Sequence, residues 1–122
     1  MATNYKQAGT TLQYSNSTGS DIASGDLVVV GGTLCVAIND IPDGESGTVG
    51  TCGVFSVPKV SGAVFGQGES LTYDVSAGAF DDNQATPATG DVTGPAARAH
   101  KAGANGETTA EVYLTGVPGT VN

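Results

Sequence analysis

The sequence predicts an all-β protein: a small antiparallel barrel or sandwich of about seven to nine short strands, with an extended N-terminal arm over residues 1–8. Three observations predict it. Nineteen Gly and five Pro are spread so evenly that no stretch free of both exceeds nine residues. A stable helix wants about ten or more residues and an interior Gly costs it about 1 kcal/mol, whereas strands of about five or six residues fit such windows. β-Branched residues also cluster in runs that a disordered Gly- and Ser-rich chain would lack, and turn signals recur between them.

Taken in order, residues 1–8 are polar and unpatterned, and read as an arm or an edge strand. Thr10 to Ser15 places Leu12 and Tyr14 on one face of a first strand. Asn16 to Asp26 is a loop. Leu27-Val28-Val29-Val30 reads as a buried strand, and Gly31-Gly32 turns it into Leu34-Cys35-Val36-Ala37-Ile38. Two apolar runs joined by Gly-Gly are a hairpin signal.

Pro42-Asp43-Gly44 marks a turn. Ser46 to Pro58 reads as one long strand, sharply bent where Gly47, Gly50 and Gly53 recur, with Val49 and Thr51 on one face. Glu69 to Val75 alternates, so Leu71, Tyr73 and Val75 are expected to face inward. Ala79-Phe80 is a short strand or turn, and Asp81 to Thr89 an acidic loop. Residues 96–100 and 109–114 form a closing pair around the loop Gly103-Ala104-Asn105-Gly106. No repeat or linker divides the chain, which reads as a single β domain over residues 1–122.

Composition narrows function by exclusion. Twelve acidic residues against four basic ones give a net charge of −8, which repels nucleic acid. Two cysteines, Cys35 and Cys52, are too few for a disulfide framework and read as small buried apolar side chains. The start, Met1 to Gln7, lacks the apolar centre of a signal peptide, and no apolar run approaches a membrane span. Synthesis in a cytoplasm and no membrane partner are the expectations. With only three Phe, four Tyr and no Trp, the core is thin, and a thin core leans on subunit contacts.

Motifs for chemistry are missing. Serine-type catalysis needs a histidine held by a carboxylate, and the only histidine, His100, has no orienting neighbour in sequence. A phosphate loop needs Gly immediately before its Lys, but Lys6, Lys59 and Lys101 follow Tyr, Pro and His. Asp40, Asp43 and Glu45, like Asp81, Asp82 and Asn83, do not follow the spacing of a calcium loop and read as solvated turn residues. Asn16-Ser17-Thr18 matches a glycosylation acceptor, without meaning in a chain that is not secreted. No catalytic residue, metal ligand or cofactor is expected.

Several segments resemble a known family in their order and spacing. They are Ala2-Thr3-Asn4-Tyr5 with Gln7 and Gly9, Ser24 to Gly32, Val36-Ala37-Ile38, Gly53-Val54-Phe55-Ser56-Val57-Pro58-Lys59, Gln67 to Asp74, and Val112 to Gly116. The fourth is similar to a "G-V-F-x-[LV]-P-K" signature of small phage capsid cement or decoration proteins, some of which carry an old recombinase label. Cys35 stands where Gly is more usual there, Thr72-Tyr73 differs slightly, and the loop from Asp81 to Gly94 is altered. The missing phosphate loop and the negative charge contradict the recombinase label.

The resemblance implies a homotrimer on the outer surface of an expanded phage head, bound to the major capsid protein, with no catalytic activity. Within it, Ala2, Thr3, Asn4, Tyr5, Lys6 and Gln7 are the candidate capsid-binding residues, because an unpatterned polar arm with an aromatic anchor suits strand addition. Phe55, Val57 and Phe65 are the candidate core or trimer contacts, because aromatics are scarce here. Two rival classes are a carbohydrate- or host-surface-binding β module, which would need an exposed aromatic platform, and an enzyme, which the residue inventory disfavours.

Overall fold

The computed structural model describes residues 9–83 and 85–122. The expected arm, residues 1–8, lies outside them. Strands β1 (Thr11–Ser15), β2 (Leu27–Val30), β3 (Thr33–Ala37) and β4 (Ser46–Gly50) form one antiparallel sheet in the order β1-β4-β3-β2. Strands β5 (Cys52–Pro58), β9 (Ala97–Ala99) and β10 (Thr109–Thr115) form a second, ordered β5-β10-β9. The third, β11-β8-β6-β7, joins β6 (Thr72–Asp74), β7 (Ala79–Asp81), β8 (Val92–Thr93) and β11 (Thr120–Val121). No helix occurs among the described residues.

The first hairpin forms as expected. Val30 pairs with Thr33 across Gly31-Gly32, and the register runs back to Leu27 opposite Val36. Its unbroken apolar run has a physical reason, since the hairpin is covered on both faces. Leu34 and Val36, with Leu27 and Val29, belong to the larger core. Val28, Cys35 and Ala37, with Val30, belong to a smaller core completed by Ile41, Val49, Tyr14 and Ile22. One sheet therefore separates two apolar clusters.

The segment read as one bent strand is two. β4 ends at Gly50, β5 begins at Cys52, and buried Thr51 carries the chain from the first sheet to the second. Gly53, at φ +126° just inside β5, takes a backbone conformation that an L side chain resists. Val49 and Thr51 are both buried, as their shared face implied. This split, with the unforeseen β8 and β11, raises the strand count above the expected range.

The second and third sheets are stitched at two edges. Ala99 N–H donates to Glu69 O and Leu71 N–H to Ala97 O, joining β9 to the residues before β6. At the other edge Val60 N–H donates to Phe80 O at 2.9 Å, where Lys59 and Phe80 form a parallel bridge. The enclosed core holds Val57, Phe65, Leu71, Tyr73, Phe80, Val92, Val112 and Leu114. Phe80, fully buried, packs its ring 5.1 Å from that of Tyr73.

One inward assignment fails, and one strand ends a residue earlier than expected. Val75 is 43% exposed, because β6 stops at Asp74 and the next residues turn over its carboxylate, which accepts from Ser76 and Ala77 N–H. Ile38 lies one residue beyond β3 and is 50% exposed. Leu12 and Tyr14 do share a face, opposite Val49 and Gly47, but only Tyr14 packs on the smaller core.

The C-terminal segment closes the third sheet through a close backbone approach. Gly119 N–H donates to Gly32 O at 2.9 Å, and a methyl group at Gly119 would run into the Thr93 carbonyl oxygen and the Val92 side chain. Gly119→Ala is expected to detach β11 and lower the melting temperature by several degrees, corresponding to about 1–3 kcal/mol, in a thermal melt monitored by circular dichroism.

Candidate functional site

Four aspartates of the loops between β1 and β2 and between β3 and β4 work as staples. Asp43 accepts from Gly19 N–H (3.0 Å), Asp21 from Asp43 N–H (2.9 Å), Asp40 from Ser24 N–H (2.8 Å) and Asp26 from Ala23 N–H (3.0 Å). Each carboxylate satisfies a backbone donor that would otherwise need water. No group of three or more His, Cys, Asp or Glu side chains converges on a metal-sized site among the described residues.

Asn16 organises the same loops from within. It is 1% exposed, donates to the carbonyls of Ser20 and Ile41 at 2.8 Å each, and accepts from Thr18 N–H and Oγ1. A side chain with both amide hydrogens engaged in the interior has no surface to offer a glycosyl donor, so the acceptor motif is a structural loop.

The lone histidine is exposed at the end of β9, and its backbone N–H donates to Glu111 O. Its neighbours are structural: Lys101 pairs with Glu111 at 2.9 Å on the surface, and the Arg98 guanidinium sits 4.6 Å from the Tyr113 ring centroid. Such exposed contacts contribute little to stability. A groove of about 400 Å³ lies beside them, lined by Val54, Phe55, Ser56, Lys101 and Glu111 among others.

Lys59, the last residue of the signature segment, is the unforeseen feature. It is 4% exposed, and its Nζ donates to the carbonyls of Val60 (2.9 Å), Glu107 (3.2 Å) and Ser61 (3.5 Å) while lying 5.9 Å from the Phe65 ring centroid. Phe65 and Gly103 exchange backbone hydrogen bonds beside it. The buried ammonium clamps the loop after β5 to the loop before β10, with carbonyl oxygens replacing a counter-ion. A Lys directly after a strand-ending Pro was the only sequence signal for it.

Of the candidate contact residues, Val57 (2% exposed) and Phe65 (4%) are core. Phe55 is partly buried and keeps surface to offer; its ring and the end of Ile38 both lie over Gly50, making an apolar patch at the corner between sheets. Ala2, Thr3, Asn4, Tyr5, Lys6 and Gln7 lie outside the described residues. The described tyrosines are engaged: Tyr73 is core, Tyr14 packs on the smaller cluster, and Tyr113 sits under Arg98. None of the described tyrosines therefore stands as an open platform for a sugar ring.

A family model described as "Phage cement protein" matches residues 6–114, from ahead of β1 to the penultimate residue of β10. The chain belongs to the phage cement protein family. No curated protein matches its sequence. The family is a structural one, and its name ties this cement protein to the phage capsid. No helix among the described residues is long and apolar enough to cross a membrane.

Both cysteines of the cement protein are free, Cys35 buried and Cys52 partly so. Burial pushes the Cys35 thiol up from 9.0 to about 11, and raises the Tyr73 phenol with help from nearby Asp26 and Asp74. Between pH 9 and 11 the unfolded thiol loses its proton while the folded one keeps it, so stability falls as pH rises through that window. Denaturant midpoints taken from pH 8 to 10.5 are expected to fall less steeply in Cys35→Ala than in the wild type. Lys59→Met is expected to speed hydrogen exchange at Phe65 and Gly106, whose amides donate to Gly103 and Ser61, while the β2–β3 ladder stays protected.

Proposed function

We infer that this cement protein binds the outer surface of an expanded phage head as a homotrimer and stabilises the shell by bridging major capsid protein subunits. The observation that carries the reading is the family match over residues 6–114. The physical character of the molecule supports it. Short strands, two small cores and loops stapled to their own backbone make a stiff wedge, suited to filling a junction between subunits.

A head under internal DNA pressure fails first where its subunits meet. A trimer laid across such a junction adds three linked contacts, and linkage raises the effective concentration of each, so weak contacts hold together. Preference for the expanded shell follows if the receiving surface is complete only after expansion, because only differential affinity selects a state. In this reading residues 2–7 order on the shell by adding a strand to a capsid sheet, with Tyr5 as anchor. The corner patch of Phe55 and Ile38 supplies the trimer contact, with Val57 and Phe65 supporting it from the core.

Purified protein mixed with expanded, undecorated heads is expected to co-sediment with them and to elute alone as a trimer in light-scattering chromatography. Deleting residues 2–7 is expected to leave the trimer and its melting temperature intact and to abolish co-sedimentation. Unchanged head binding by the deletion would reject the role given to the arm.

A further inference from the structure

Strand β2 is one outer edge of the first sheet. The two-residue turn closes on the Val30–Thr33 pair, and Ala37 N–H donates to Asp26 O at 2.9 Å. Hydrogen-bonded pairs alternate along an antiparallel ladder, so Val28 and Val30, with the Asp26 carbonyl and the Gly25 N–H ahead of them, direct their backbone groups at β3, while Leu27 and Val29 turn theirs outward. Among the described residues, neither Leu27 nor Val29 has a backbone partner on that outer side. Between Leu27 and Val30 the strand carries no charge or proline, two of the devices by which β-proteins guard an open edge. Its side chains are seated in the two cores, so what it presents outward is backbone.

A groove of about 250 Å³ lies beside this edge, lined by Gly25, Asp26, Leu27, Pro58, Tyr73 and Gly78. Its one charged lining residue is Asp26, and Asp74 follows the lining Tyr73 in β6, so the charge at this edge is negative. We propose that the β2 edge receives an extended segment of the shell protein as a fifth strand, with a basic side chain of that segment set against Asp26 and Asp74. The proposal rests on the cement reading and deepens it by assigning a receiving edge and the charge of its partner.

A second copy of this chain fits the edge less well. Its other outer strand in this sheet, β1, holds no basic residue, and the one basic residue inside a described strand, Arg98, lies in β9, which is bonded on both sides. Each copy also carries a net charge of −8.

Val29→Pro tests the assignment, because it removes an outward N–H without touching the ladder to β3, a position where an edge strand tolerates proline. The variant is expected to keep the oligomeric state of the wild type and to bind expanded, undecorated heads about tenfold or more weakly by co-sedimentation. In the wild type, hydrogen exchange at Leu27 and Val29 is expected to slow on head binding, a readout that needs no variant. Unchanged affinity in Val29→Pro, or exchange at these amides unaltered by heads, overturns the proposal. Loss of the oligomer in Val29→Pro, or protection of these amides in the free protein, would assign the edge to another copy and also overturn it. Failure of the wild type to bind heads at all would instead overturn the cement reading beneath it.

Discussion

Burial of the β2–β3 hairpin on both faces is the constraint on which the rest of the structure depends. A two-stranded ribbon is marginal alone in water, and this one becomes stable because every apolar side chain in its two strands has a core to enter. Leu34 and Val36 close the larger cluster from one side; Cys35 and Ala37 close the smaller from the other. A one-residue slip in the register would exchange the two sets, placing Leu34 and Val36 where Cys35 and Ala37 just fit. The small residues at 35 and 37 therefore belong to the architecture, and the fully buried, neutral Cys35 thiol is filler for a tight layer.

Around that hairpin, polar groups do much of the shaping that large apolar side chains do elsewhere. Asn16, Asp91 and Lys59 are all buried, and each is spent on backbone: Asn16 on the β1–β2 and β3–β4 loops, Asp91 on the amides of Val75 and Ala88, Lys59 on three carbonyls. Among the described residues no buried side-chain nitrogen or oxygen lacks a partner. A chain with few aromatics and many turns fixes its loops by hydrogen bonds because it has little apolar area to spend on them. For a cement protein the consequence is stiffness. Loops stapled to their own backbone keep their shape on contact, and little ordering entropy opposes binding.

Most of the fold was legible. The Gly-Gly hairpin, the Pro42 turn, the closing pair around residues 103–106 and the bend near Gly53 all arise from local chemistry, which neighbours along the chain suffice to express. The failures share one cause. Val75 and Ile38 continue an apolar pattern past the end of a strand, and the end is set by Asp74 turning over Ser76 and by the chain leaving β3, neither of which hydrophobicity encodes. β8 and β11, two residues each, come from pairing between distant segments: Val92 lies against Tyr73 of β6, and Gly119 brings the C-terminal segment against Thr93. Phe55 and Phe65 stood out in the sequence as scarce aromatics, but that Phe65 is buried and Phe55 only partly so was not legible.

The sequence by itself determined an all-β chain of short strands, the pairing of its central hairpin, its acidity and its resemblance to cement proteins. These follow from backbone preferences and composition, which act over a few residues or need no geometry at all. Only the tertiary structure decided that one sheet serves two cores, that the bent strand changes sheets at Thr51, that Lys59 is an interior clamp, and that β2 is left as an edge. Each of those depends on which distant segments lie side by side, a matter of closing loops and filling volume that no local pattern specifies.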